Sequence, residues 1–406
     1  MSSSNPPPAA TAAAAGPASL HATVLLLSAA AFFSGAALRI CDGLLPRLAS
    51  DFGITAGAAG RVVIVFSIAY GAMQLVFGPL GDRFGKARLV CVALVGCALL
   101  SAVAALAQGF AQLLAARVGW GMAAAGVIPL AMAWIGDAVP YEERQATLAR
   151  LLMGTLSGMM GGQLAGGLFA DLAPGWRGAF WAMALGYGLI AVLLLTRLRP
   201  FPATVRPAGS AFGAFAVQVR AVLGTRWTWW VLAAAFVEGV FLLGPMAYLP
   251  AMLHQRFALA LSAASALIAL YAVGGLVYAL AARHLVRRLG ERRMVRAGGW
   301  IMGAGYLLWL VSPWGWTAAP VALAVGFGTY LYHNTLQTHA TQMAPTARGT
   351  AVALFASCLF TGQAVGVTLA GWSFDHFGVA ALLLPAVAAL PLAGEMFAGA
   401  LRRRAG

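Results

Sequence analysis

Hydrophobic positions fall in long uninterrupted blocks, separated by short polar stretches. A helix needs about 20 apolar residues to cross hydrocarbon, and runs of that order occupy 22–44, 58–79, 89–107, 111–134, 148–170 and 178–196. After a polar, proline-containing stretch, six more occupy 228–249, 262–282, 295–311, 318–340, 350–373 and 379–400. Backbone polar groups in lipid must be satisfied within the segment, so runs of this length read as helices. The pattern predicts an all-α integral membrane protein with twelve transmembrane helices in two sets of six. Glycines lie inside the runs, as at Gly154, Gly158, Gly161, Gly162, Gly166 and Gly167, where small residues let helices approach closely. The expected organisation is a cytoplasmic tail over 1–20, a six-helix bundle over 21–196 and a cytoplasmic central loop over 197–227. A second bundle over 228–400 and a basic tail over 401–406 complete it.

Composition narrows the class further. Hydrophobic residues make up 61% of the 406 and charged residues 9%, with a mean hydropathy of +0.84. Soluble domains carry about 25% charged residues, so a water-soluble enzyme is excluded. The tail over 1–20 is rich in Pro, Ser and Ala and lacks a basic leading segment, which predicts disorder rather than a cleaved signal peptide. The net charge of +15 is accounted for by topology. Placing both termini in the cytoplasm puts 20 Lys and Arg on that side and four, Arg47, Arg61, Arg177 and Arg256, on the other. This asymmetry orients the chain and removes the need for a nucleic-acid partner. The abundance of Ala, Arg and Gly suggests a bacterium of high GC content, hence its cytoplasmic (inner) membrane. The four cysteines sit in apolar runs without metal-ligand spacing. No phosphate-binding loop, cofactor motif or nucleophile–base pair is present, so neither ATP drive nor catalysis is expected.

The two halves repeat one another. Leu80-Gly81-Asp82-Arg83-Phe84-Gly85-Lys86-Ala87-Arg88 after span two matches Leu285-Val286-Arg287-Arg288-Leu289-Gly290-Glu291-Arg292-Arg293 after span eight. Gly162-Gln163-Leu164-Ala165-Gly166 in span five matches Gly362-Gln363-Ala364-Val365-Gly366 in span eleven, at nearly the same displacement. Transporters built from two such halves place their substrate site between them, near the bilayer midplane.

The residues resemble the major facilitator superfamily of secondary transporters, and most of all its twelve-helix drug:proton antiporter branch. Gly78-Pro79-Leu80-Gly81-Asp82-Arg83-Phe84-Gly85-Lys86-Ala87-Arg88 is similar to the family's loop 2–3 signature. Leu113, Arg117, Trp120 and Gly121 follow the branch's span-four pattern, with Trp where it has Gln. Asp42 with Pro46 resembles the end of the family's first span, and Pro140–Arg144 and Pro345–Gly349 its basic turns. Span five departs from the antiporter signature: Gln163 stands where exporters carry a proline. The likeness covers about 20–400 and implies a monomeric transporter that works by alternating access. It further implies that Asp42 binds a proton beside the cation of Arg117. Asp82, with Gly78, Arg83, Gly85, Lys86 and Arg88, would form a cytoplasmic gate meeting span eleven.

Charged groups inside a membrane cost at least about 2.5–3.5 kcal/mol each, so each is a functional candidate. Arg39 and Asp42 are spaced to share a helix face. Asp42 with Arg117 is either a proton-coupling pair or an ion pair locking spans one and four. Glu238, mid-span seven, has no basic residue one turn away. It is either a cation or proton site or an acid hydrogen-bonded between helices. Tyr330, His333, Asn334, Gln337 and Thr341 form a polar stripe on span ten, which lipid would not tolerate. With Arg39, Trp120, Gln163 and Gln363 they are the candidate cavity residues. The expected function is proton-coupled efflux of a small amphipathic molecule. The alternatives are uptake or facilitated diffusion of a small organic solute, such as an anion held by Arg39 and Arg117, and a transport-dead receptor.

Overall fold

The computed structural model describes residues 17–198, 211–345 and 347–405. Most of the expected tail, and Arg199 and Arg206 of the central loop, lie outside the described residues. Span one is Pro17–Arg39, span two Arg61–Phe84, and span three Lys86–Ala105. Span four comprises Phe110–Ala124 and Val127–Ala138, span five Tyr141–Asp171, and span six Gly175–Leu198. A helix over Ala211–Leu223 lies within the central segment. Span seven runs from Arg226–Glu238 through a π-helical turn at Gly239–Leu243 to Leu249–Phe257. Leu261–Val311 is spans eight and nine, Ala318–Gln342 is span ten, and Arg348–Ala405 is spans eleven and twelve.

Eight helical stretches among the described residues are long and apolar enough to cross a membrane. Two of these are double spans, broken at Gly290 (φ 67°) and Gly378 (φ 75°). Tyr141–Asp171 and Ala318–Gln342, the most glycine-rich and the most polar-striped spans, complete the twelve. Gly85 (φ 90°) makes the turn after span two. Gly290 is its counterpart in the second half, so both copies of the repeat turn at a backbone conformation that favours glycine.

Helix pairing follows the repeat residue by residue. A Cβ added at Gly162 would overlap the Ala36 carbonyl, and one at Gly166 the Ile40 carbonyl. In the second half Gly362 meets the Phe236 carbonyl and Gly366 the Val240 carbonyl. Glycine and partner are displaced by the same interval in both contacts. Span five therefore packs on span one as span eleven packs on span seven, with backbones in direct contact. Between the halves, span two packs on span eleven and span five on span eight.

Candidate functional site

A cavity of about 150 Å³ lies between the halves. Span one contributes Leu38 and Arg39, span five Met159, span seven Glu238 and Leu243, and span eight Tyr271. Span ten adds Thr329, Tyr330 and His333, and span eleven Leu359, Phe360 and Gln363. Its most polar feature is a pair that joins spans seven and ten. His333 Nδ1 lies 3.0 and 3.1 Å from the two carboxylate oxygens of Glu238. The carboxylate is 2% exposed and the imidazole side chain 20%, so the histidine is the more accessible member of the pair. Glu238 ends the α-helical part of span seven and the π-helical turn starts at the next residue. Such turns recur at functional sites because they re-aim side chains within a helix.

The stripe on span ten leads away from this pair. Asn334 donates to the Tyr278 hydroxyl at 2.9 Å, and exposure rises from half-buried Tyr330, His333 and Asn334 to exposed Gln337 and Thr341. Behind the lining residue Phe360, Tyr70 of span two packs against its ring with centroids 4.6 Å apart and planes tilted by 58°.

The second charged group lies beside the cavity. Arg39 donates to Asp42 Oδ2 at 3.2 Å, and Asp42 is fully buried. Arg117, also buried, has its guanidinium 4.1 Å from the Phe66 ring centroid and 4.8 Å from that of Trp120. Its Nε–H donates to the Val62 carbonyl at 3.2 Å. Asp42 is within electrostatic reach of Arg117, yet among the described residues its ion-pair partner is Arg39. Asp42 Oδ1 and Arg117 Nη1 are each buried without a hydrogen bond.

The two ends of the molecule differ. At the end opposite the termini the halves are in close contact. Tyr248 of span seven donates its hydroxyl to the Val367 and Gly57 carbonyls at 3.1 and 3.3 Å, and Ser265 of span eight is wedged against Gly43 and Gly167. At the terminus end, a Cβ at Gly78 or Gly349 would meet nothing within 4 Å, and Asp82 is exposed.

The sequence profile of the Major Facilitator Superfamily matches residues 27–367. The chain belongs to that superfamily. A curated relative, the efflux pump radE of Floropilus chiversii, is 30% identical over 156 residues, 38% of this chain and 29% of that protein. The matched stretch spans under half the length of the curated relatives the chain resembles. Among solved structures, the nucleoside transporter NupG superposes with a TM-score of 0.78 at 12% identity, covering 93% of this chain and 99% of that one. A D-xylose–proton symporter superposes with a TM-score of 0.74 at 14% identity, covering 93% and 96%. Both show the fold.

Within this superfamily fold the predicted residues part into groups. Arg39, Glu238, Tyr330, His333 and Gln363 meet at the cavity. Gln163 is buried beside Arg39, Met160 and Tyr271 in a smaller adjoining crevice. Trp120 instead packs in the core of the N-terminal half against Phe66, Phe180 and Tyr187. In the loop 2–3 signature, Lys86 Nζ pairs with Asp137 Oδ2 at 2.6 Å, while Arg83 and Arg88 are exposed. The pairing of Glu238 with His333 is not visible in the sequence, because it depends on the relative rotation of two helices. Asp171 and Asp375 are further candidate functional residues, and their only signal in the sequence is one acid near the far end of each repeat-related span.

Proposed function

We propose that this superfamily transporter is a proton-coupled exporter of a small amphipathic compound. It works as a monomer in a bacterial cytoplasmic membrane, with both termini in the cytoplasm and the halves 21–196 and 228–400 rocking about the central cavity. The observation that carries the reading is the Glu238–His333 pair facing that cavity. In a water-poor site a carboxylate is costly unless it is paired or protonated. A proton on the pair and a cationic group of a substrate therefore compete for the same negative charge. That competition couples release of one to binding of the other, which is the chemistry of antiport. Arg39–Asp42 supplies a second pair bordering the cavity. The halves are in close contact at the end opposite the termini, while Asp82 at the terminus end is exposed, which supports a cavity reached from the cytoplasm.

Reconstitution with a pH-sensitive dye in the lumen tests the coupling. Lipophilic cations, neutral drugs and organic acids are added to wild type, Glu238→Gln and Asp42→Asn. Substrate-driven proton movement opposite to substrate, abolished in Glu238→Gln, is the expected result. Labelled substrate crossing with equal proton movement in wild type and Glu238→Gln would remove Glu238 from the coupling step.

A second reading rests on Arg39, which lines the cavity while donating through Nη1 to Asp42. Its remaining N–H donors suit a carboxylate. It favours symport of a small organic anion. In that case organic acids move in the same direction as protons in the same assay.

A further inference from the structure

We propose that Asp171 and Asp375 are two related latches whose carboxylates hold the two halves closed at the end opposite the termini. Asp171 lies just past the apolar run 148–170 and closes the helix of span five. Its carboxylate accepts from the backbone N–H groups of Leu261 and Ser262 at 3.2 and 2.8 Å and from the Ser262 hydroxyl at 2.5 Å. These groups form the first turn of span eight, in the other half. Asp375, near the outer end of span eleven, accepts from the Gly57 N–H at 2.9 Å and the Thr55 hydroxyl at 2.5 Å. Thr55 is the N-cap of the turn Ala56–Ala59 that leads into span two.

The two contacts share repeat-related donors. Gly57 and Ser262 stand at matching places, separated by the same interval as the two copies of the loop repeat. Each donates its backbone N–H to an acid of the opposite half. Both acids closely precede a positive-φ glycine, Gly175 (φ 55°) and Gly378 (φ 75°). The chemistry suits a latch. The first turn of a helix carries unpaired N–H donors and a partial positive charge, and charge-assisted bonds to a carboxylate are stronger than neutral ones. Each carboxylate thus ties one half to a helix start of the other, and both sets of bonds must break before this end can open. At the terminus end the analogous acid, Asp82, is exposed, and Gly78 beside it faces open space.

Thiol accessibility tests the proposal without knowledge of the substrate. In a background with Cys41, Cys91, Cys97 and Cys358 replaced by Ser, two reporters are used singly. Ser265→Cys lies at the closed end and is fully buried; Thr341→Cys lies at the open end and is exposed. Vesicles of known orientation are treated with a membrane-impermeant thiol reagent, with and without Asp171→Ala/Asp375→Ala. Loss of the latches should raise labelling of Ser265→Cys about tenfold and slow that of Thr341→Cys, as the population shifts toward the opposite state. The isosteric pair Asp171→Asn/Asp375→Asn, which keeps acceptor oxygens without the charge, should fall between. Equal Ser265→Cys rates in all backgrounds would overturn the proposal. So would a rise at both reporters, which signals loosened folding. Neither outcome bears on proton coupling.

Discussion

Arg39 and Asp42 are one turn apart in sequence, and they pair with each other rather than reaching across to span four. Buried ion pairs contribute little net stability, but removing one partner strands the other charge in a dry site and costs about 3–5 kcal/mol. Asp42→Asn is therefore expected to lower the unfolding temperature of the detergent-solubilised protein by several degrees. The double variant Arg39→Gln/Asp42→Asn should recover part of the loss, because Arg39 is no longer stranded while buried Arg117 still lacks the nearby Asp42 charge. A double variant less stable than the single one would show that Arg39 is held by other groups. Glu238 differs in kind: its partner, His333, can itself gain or lose a proton, whereas Arg39 stays charged.

Spans five and eleven are close-packing elements, with glycines in register against a partner backbone. Gly162→Val would drive side-chain atoms into the Ala36 carbonyl on a neighbouring span, and neither backbone can yield without separating spans one and five. It should abolish monodisperse protein on size-exclusion chromatography. Gly136→Ala, with open space where the Cβ would sit, should leave stability within about 0.5 kcal/mol of wild type. The repeat extends to the turns but not to their charges. Lys86 pairs with Asp137 in the first half at 2.6 Å, whereas Glu291, at the position matching Lys86, pairs with His339 at 3.1 Å. The sign of the charge is reversed between the copies while the packing is kept, so the inner ends of the two halves are electrostatically unlike.

Across the whole molecule, the latches tie closure of one end to opening of the other, and protonation of Asp171 sets a pH limit on that closure. Burial alone would raise the pKa of Asp171, but hydrogen bonds from Ser262 and Leu261 outweigh it and hold the carboxyl below its usual range, with nearby His254 lowering it further. A depressed acid contributes its stabilisation above its ordinary value, about pH 4, and loses it only as pH falls through the lowered one. Labelling of Ser265→Cys should therefore stay slow and flat from pH 8 to pH 5. An increase already between pH 7 and pH 5 would show that a group other than the Asp171 carboxylate governs the closed end.

The number of spans, their grouping into two sixes and the duplicated unit were legible in the sequence. Each depends on local quantities: apolar run length against bilayer thickness, and self-similarity at a fixed displacement. The glycines of spans five and eleven could be read as packing residues because lipid provides no other use for so many small side chains. Several candidate residues could likewise be picked out, since a charge or a polar stripe within hydrocarbon demands a reason wherever it points. Their partners could not be read. Whether Asp42 meets Arg39 or Arg117, whether Glu238 stands alone or beside His333, and whether Trp120 faces cavity or core all depend on helix rotation and tilt. Those are fixed by close contact with neighbouring spans distant in sequence. The latches show both sides of this boundary. Each acid can be seen near the outer end of a repeat-related span, but only the assembled halves bring each carboxylate to the first turn of a helix in the opposite half of the chain.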